Sequence, residues 1–168
     1  MLNYTEDGNI NIKTASAEDV PLILTLIREL SVYEKMEDQV VATEELLHES
    51  LFGSNATAEA LIGYYAEKPV AFALYFRNFS TFLARPGLYL EDIYVKPEYR
   101  SKGVGRAIFH KLASIAQQRG YGRFEWSVLD WNEPAIRFYE KIGAREMKEW
   151  KIYRLAGEAL KKAAGEQD

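Results

Sequence analysis

Apolar and polar positions alternate with two different periods along this chain, and the switches between them mark out its elements. Ile10, Ile12 and Thr14 alternate with polar neighbours, the period-two pattern of a strand with one buried face. Ser16, with Asp19 three residues on, supplies a hydroxyl N-cap and a carboxylate that can bond back to it. The spacing of Val20, Ile23, Leu24, Ile27 and Leu30 predicts a helix running to about Val32, with Arg28 and Glu29 off its apolar stripe. Thr43 predicts the cap of a second, shorter helix over residues 44–51, closed by the turn formers Gly53, Ser54 and Asn55. Residues 58–65 and 70–76 are rich in aromatic and short apolar side chains and predict two antiparallel strands, with Glu67, Lys68 and Pro69 as the turn between them.

After a predicted loop over residues 80–87, the run 88–95 has the character of a central strand, ended by Lys96-Pro97. Ile108, Leu112, Ile115 and Ala116 put one apolar face on a helix over residues 103–118, with Gly120 near its end. A strand is predicted over 123–128. Asn132 is placed to cap a helix that begins with Glu133-Pro134, where proline's missing N–H falls among first-turn donors that have no partner in any case. Gly143 should end that helix, residues 144–155 are extended enough to suggest a terminal hairpin, and 156–164 suggest a short helix. The order β-α-α-β-β-β-α-β-α-β predicts a mixed sheet with helices on its faces, α/β or α+β in class, with a parallel pair across the helix that follows residues 88–95. Neither repeat nor linker interrupts it, so one domain over 1–168 is expected, residues 1–9 being a flexible tail.

Composition narrows the function classes. Of the 168 residues 48% are hydrophobic and 27% charged, which suits an ordinary globular chain. With no cysteine, a disulfide framework, a Cys-ligated metal and a Cys nucleophile all drop out. His48 and His110 sit in helices without metal-ligand partners in the pattern, and no serine and histidine arrangement suggests a hydrolase triad. Apolar runs such as 20–27 are too short to span a bilayer, and the N-terminus lacks a basic stretch followed by an apolar core, so no membrane partner and a cytoplasmic location are expected. The net charge of -4 disfavours nucleic acid and suits a cationic substrate.

Arg100-Ser101-Lys102-Gly103-Val104-Gly105 stands between a predicted strand and a long helix, where backbone amides and the positive end of the helix can receive an anion such as a pyrophosphate. The alternative reading of two glycines in a loop is a simple turn. The spacing fits neither GxGxxG nor a loop with Lys followed by Ser or Thr, which takes support from kinase and dehydrogenase readings.

An R-x-x-G-x-G loop after LYLEDIYV, followed by WNEPAIRFYEKIGA and preceded by Ile27-Arg28-Glu29-Leu30 and Tyr33-Glu34, resembles the GNAT superfamily of N-acetyltransferases, and within it the spermidine/spermine and thialysine branch. The resemblance implies a mostly antiparallel central sheet with a splayed central strand pair at an acetyl-CoA site. It further implies that the backbone at Ile93, Tyr94 and Val95 holds the pantetheine arm and acetyl carbonyl. Arg100, Ser101, Lys102, Gly103, Val104, Gly105 and Arg106 would hold the pyrophosphate, completed by Asn132 and Pro134. Tyr139 matches the tyrosine that protonates the departing thiolate, its other reading being a packed helix aromatic. Glu91 matches a carboxylate that takes the proton of the amine directly or through water, its other reading being a cation partner that fixes the strand. Asp92 lies on the face opposite Glu91 if the strand is regular, so the two cannot both be the base.

Tyr33, Glu34, Glu91, Asp92 and Asp130 are the candidate substrate contacts, the amine being a diamine, a polyamine or a thialysine- or lysine-like compound. Trp131 and Trp150 stay ambiguous between channel and core. The segment 79–87 departs from vertebrate polyamine acetyltransferases: it carries Phe82 and Arg85, and no acidic residue stands between it and Glu91, so a compact amine is as good a candidate as spermidine. The branch also implies a homodimer. A non-catalytic acyl-CoA sensor, or a protein or peptide acetyltransferase, are the competing readings, the first disfavoured by the joint presence of Glu91 and Tyr139.

Overall fold

A computed structural model of the chain describes residues 8–166. It divides into two compact units, residues up to Ser127 and residues from Val128 on.

The first unit is built on one sheet whose five strands lie in sequence order, β1 (Ile10–Thr14), β2 (Glu59–Tyr65), β3 (Lys68–Ser80), β4 (Arg85–Val95) and β5 (Phe124–Trp126). The first three pairings are antiparallel and β4 with β5 is parallel. This is the mixed, mostly antiparallel sheet the resemblance implied. The expected tail over 1–9 falls outside the described residues as far as residue 7, and Asn9 is tied down by its carbonyl, which accepts from the Ala66 amide at 2.8 Å.

Helix α1 (Val20–Glu34) starts where the Ser16–Asp19 pairing predicts: the amide and hydroxyl of Ser16 both donate to Asp19 Oδ2, at 2.7 and 3.0 Å, and a single 3-10 turn leads into the helix. Thr43 Oγ1 accepts from the Leu46 amide at the head of α2 (Glu44–Phe52). Both helices cover one face of the sheet, where Ile23, Leu24, Leu26, Leu30, Leu47 and Leu51 pack with Ala60, Ile62, Phe72 and Tyr94. Leu26 is fully buried while Ile27 is only half-buried. The stripe is therefore wider than the spacing indicated, because α1 is covered by the sheet on one side and α2 on another.

The opposite face belongs to α3 (Val104–Gln118), whose Val104 and Ile108 lie so close to Gly63 that a β-carbon there would come within 3.1 and 3.3 Å of them. Glycine in β2 thus lets the helix approach the sheet.

Several boundaries differ from expectation for identifiable reasons. The turn between β2 and β3 is made by Ala66 and Glu67, both with positive φ (45° and 64°), as tight two-residue hairpins require. Pro69 instead lies in β3 opposite Tyr64, next to a register shift that leaves Val70 as the extra residue. The predicted loop over 80–87 is mostly strand: Ser80, Phe79 and Asn78 pair with Arg85, Pro86 and Gly87, so only residues 81–84 turn. Conversely β5 stops at Trp126 and does not reach residue 128.

The second unit contains α4 (Glu133–Lys141) and α5 (Gly157–Ala163). Asn132 occupies the cap position of α4, its carbonyl accepting from the amides of Ala135 and Ile136 at 3.0 Å each, and Gly143 at φ 92° ends the helix. The expected hairpin over 144–155 is not formed; these residues carry no strand, and Trp150, Ile152 and Tyr153 are 71%, 75% and 90% exposed. Alternation alone cannot make a strand without a partner edge to complete its ladder.

Candidate active site

Strand β4 changes its character at Leu90. Its pairing with β5 covers only Leu88, Tyr89 and Leu90, so from Glu91 to Val95 the side of β4 that faced β5 has no ladder partner among the described residues. The other side remains paired with β3 as far as Val95. The strand pair therefore parts where the sequence reads Glu-Asp-Ile-Tyr-Val, and a row of backbone donors and acceptors opens there.

A β-bulge sits at the same point. Leu74 pairs with Asp92 and Tyr75 with Leu90, which leaves Glu91 as the extra residue. Leu90 lies opposite Tyr75 and Ile93 opposite Ala73, two residues apart on β3, so Leu90 and Ile93 share a face although they are three apart in sequence. By the same logic Asp92 shares the α1-side face with Tyr89 and Tyr94. The regular strand assumed for Glu91 and Asp92 is thus corrected: the alternation breaks at Glu91 itself, and the argument that put the two carboxylates on opposite faces does not hold.

Asp92 is largely buried, and burial in the first place, then the neighbouring charges of Glu91 and Glu34, push its carboxyl up to about 6. Glu34, at the last turn of α1, is also raised, by burial. The charges of Glu91 and Glu34, from two elements, thus both bear on Asp92, an arrangement that favours a cation beside it. Glu91 itself is exposed.

The segment after β4 makes a 3-10 turn over Pro97–Tyr99 and then the loop to α3. Ser101 and Gly103 have φ of 63° and 92°, with Lys102 between them, and the first helical hydrogen bond runs from the Ala107 amide to the Gly103 carbonyl. The amides of Val104, Gly105 and Arg106 precede that bond and point out of the helix end, beside the positive end of its dipole. Gly103 needs its positive φ. Gly105 does not: a β-carbon there would meet nothing nearer than Val95 Cγ2 at 3.8 Å, ordinary contact. Packing of the chain gives no reason for glycine at 105.

Two of the cations expected to meet phosphate are engaged elsewhere. The Arg100 guanidinium lies 4.3 Å from the Tyr33 ring centre and 5.8 Å from that of Tyr94, and its Nε donates to the Val95 carbonyl at 3.0 Å. Lys102 Nζ lies 4.9 Å from the ring of Tyr99 and 5.1 Å from that of Tyr65. These aromatic partners carry no sequence signal, since Tyr33 and Arg100 belong to segments far apart in the chain. Arg106 is exposed at the first turn of α3.

Asp130, Asn132, Pro134 and Tyr139 lie in the second unit. Asp130 is exposed in the turn before α4, Pro134 stands in its first turn, and Tyr139 follows Asn132 by seven residues, two helical turns, on the same side of α4. The Tyr139 ring meets that of Phe138 at 5.6 Å. Among the described residues, no three His, Cys, Asp or Glu side chains gather into a metal-ligand group.

Comparison with known proteins converges on the same assignment. The model of the Acetyltransferase (GNAT) family matches residues 25–144, which spans β4, the Gly103 loop and α4. The chain is 40% identical to thialysine N-epsilon-acetyltransferase of Sus scrofa, over 94% of this chain and 99% of that protein. It is 34% identical to an L-ornithine N5-acetyltransferase of Arabidopsis thaliana, over 89% and 85%. Among solved structures, an integron cassette protein from the mobile metagenome of V. cholerae superposes with a TM-score of 0.79 at 26% identity, covering 94% of this chain and 99% of that one. With the family match extending over strand, loop and helix alike, the chain belongs to the GNAT family of acetyltransferases and takes acetyl-CoA as its co-substrate.

Proposed function

We propose that the chain transfers the acetyl group of acetyl-CoA to the primary amine of a small, compact substrate of the thialysine, lysine or ornithine kind, a diamine or polyamine being the wider class. The observation that carries this reading is the group of carboxylates Glu34, Glu91 and Asp92 beside the open stretch of β4. A primary alkylammonium, with an ordinary pKa of about 10.4, is attracted to such a site and must there lose a proton before it can attack. Curated relatives that acetylate thialysine and ornithine support the same substrate class.

In this reading the residue roles are those the family resemblance implies. The backbone of Ile93, Tyr94 and Val95 holds the pantetheine arm and turns an amide toward the acetyl oxygen, as the unpaired side of β4 allows. Amides of Ser101–Arg106 receive the pyrophosphate at the head of α3, and Asn132 and Pro134 complete the cofactor site. Tyr33, Glu34, Asp92 and Asp130 hold the amine. Its N–H proton passes to Glu91, directly or through a water, and the nitrogen lone pair attacks the thioester carbon. The C–S bond then breaks, Tyr139 gives its hydroxyl proton to the leaving thiolate, and the acylated nitrogen loses its second proton through solvent to the tyrosinate, yielding the acetamide and CoA with Tyr139 restored. In a second reading Asp92 takes the amine proton. Its raised pKa favours it, because a base is most effective when its pKa approaches the working pH. The enzyme works as a homodimer in the cytoplasm.

Purified protein incubated with acetyl-CoA and thialysine, lysine, ornithine, putrescine, spermidine, an aminoglycoside and a histone-tail peptide tests the whole reading. CoA release should be fastest with a compact amine, and Tyr139→Phe should lower kcat by roughly 100-fold or more. A spermidine rate a hundredfold above that of thialysine would sink the compact-amine assignment. Turnover confined to the peptide would replace it with protein acetylation, and acetyl-CoA binding without turnover of any amine would replace it with a sensor.

A further inference from the structure

Arg100 opens the phosphate loop, yet its side chain is directed back into the protein. Its guanidinium covers the ring of Tyr33 on the last turn of α1, and its Nε holds the carbonyl of Val95 at the end of β4. One turn earlier on the same face of α1, Glu29 makes an ion pair with Lys96 at 3.1 Å. Positions 29 and 33 are four apart, so the two contacts lie side by side along one helical stripe. Together they fasten the C-terminal half of α1 to the end of β4 and the start of the loop. Glu34, one of the three carboxylates, is the next residue after Tyr33, and α1 ends there at Lys35 in left-handed geometry (φ 60°).

We propose that Arg100 is a positioning residue which acts through Tyr33 rather than through phosphate: it fixes the end of α1, and with it Glu34, to the loop that receives the cofactor. Cofactor seated on the loop then orders the amine-binding end of α1, and loss of the guanidinium loosens amine binding while leaving the amide cradle in place. This deepens the proposed function and rests on its placing of the amine at Glu34.

A double-mutant cycle on the full-length protein tests it, with Arg100→Met, Tyr33→Leu and the combination, and Arg100→Lys as a milder variant that keeps the charge. Amine KM and acetyl-CoA affinity, the latter by calorimetric titration of CoA, are measured separately. Each single change should raise amine KM by roughly tenfold, as befits loss of a cation–ring contact and its accompanying hydrogen bond. The double variant should be no worse than Tyr33→Leu alone, which also removes the contact of Tyr33 with the amine, Arg100→Lys should fall between the unaltered protein and Arg100→Met, and CoA affinity should stay within about twofold. Multiplicative effects on amine KM would overturn the proposal, as would a tenfold or greater loss of CoA affinity with amine KM unchanged, which would make Arg100 a phosphate ligand.

Backbone hydrogen exchange over residues 31–36 gives a readout free of any amine. CoA should slow exchange there in the unaltered protein and in Arg100→Lys but not in Arg100→Met. Equal protection in both Arg100 variants would overturn the proposal. Absence of amine turnover in the unaltered protein would count against the proposed function alone, because this exchange measurement still reports on the link.

Discussion

Asp92 carries the clearest electrostatic signature of the site. Its carboxyl is raised to about 6 by burial first, then by Glu91 and Glu34. If the ionised form holds or deprotonates the amine, kcat/KM should rise with pH along a limb centred near 6, and Asp92→Asn should lose that limb together with most of the activity. Glu91→Gln separates the two candidate bases: retention of the limb with activity reduced about 100-fold or more assigns proton removal to Glu91, whereas near-normal rates assign it to Asp92. The stability sign runs the other way from a salt-bridged aspartate. Between the ordinary value of 3.8 and about 6 the folded state binds the proton more tightly than the unfolded chain, so this residue's contribution falls as pH rises through that window. Asp92→Asn should therefore gain stability over the unaltered protein on going from pH 4 to pH 8, by on the order of 1–3 kcal/mol, readable in urea unfolding at the two pH values.

The start of α3 brings folding and binding into opposition within one element. Gly103 supplies the positive φ that turns the loop into the helix, so it serves the fold directly. Gly105 is helical and has room for a methyl group. Gly105→Ala should stabilise the chain by about 0.5–1 kcal/mol, the usual gain of alanine over glycine within a helix. If the proposed cradle uses the backbone at 105, the change should also weaken acetyl-CoA binding, by placing that methyl group where the pyrophosphate would lie. A thermal melt without cofactor and a CoA titration measure the two effects on the same sample. A rise in melting temperature with undiminished affinity would mean that the cradle does not use the backbone at 105. Strand β4 shows the same opposition: the bulge at Glu91 and the early end of β5 sacrifice ladder hydrogen bonds at the point where a ligand can take their place.

On the scale of the first unit, one sheet carries two separate apolar layers. Ile23 of α1 and Ile108 of α3 are both fully buried, on opposite faces. Ile23→Val and Ile108→Val should each cost about 0.5–1.5 kcal/mol, and the double variant should cost their sum to within about 0.5 kcal/mol, because the sheet separates the two sites. Chemical denaturation of the four proteins measures this, and a coupling well above that margin would show that the layers are strained against one another.

Much of this architecture was legible along the chain. Local rules act over three or four residues, so the Ser16–Asp19 start of α1, the Thr43 cap, the extent of α3 and the Glu133-Pro134 start of α4 could all be read from spacing. A glycine-containing loop ahead of α3 was legible too, although the positive φ of Gly103 is visible only in the structure. What escaped was whatever depends on a partner from elsewhere in the chain. The bulge at Glu91 exists only in the register of β4 against β3, and it reverses an inference about Asp92 that was sound for an isolated strand. Strand β3 extends to Ser80 because β4 comes back to meet it, while residues 144–155 carry no strand. Arg100 could be recognised as a cation of the loop, but its engagement with Tyr33 depends on α1 crossing the end of β4. Pattern and capping are written into neighbouring residues; register, burial of charge and the pairing of distant side chains arise when the elements pack, because hydrogen-bond ladders and desolvation involve both partners at once.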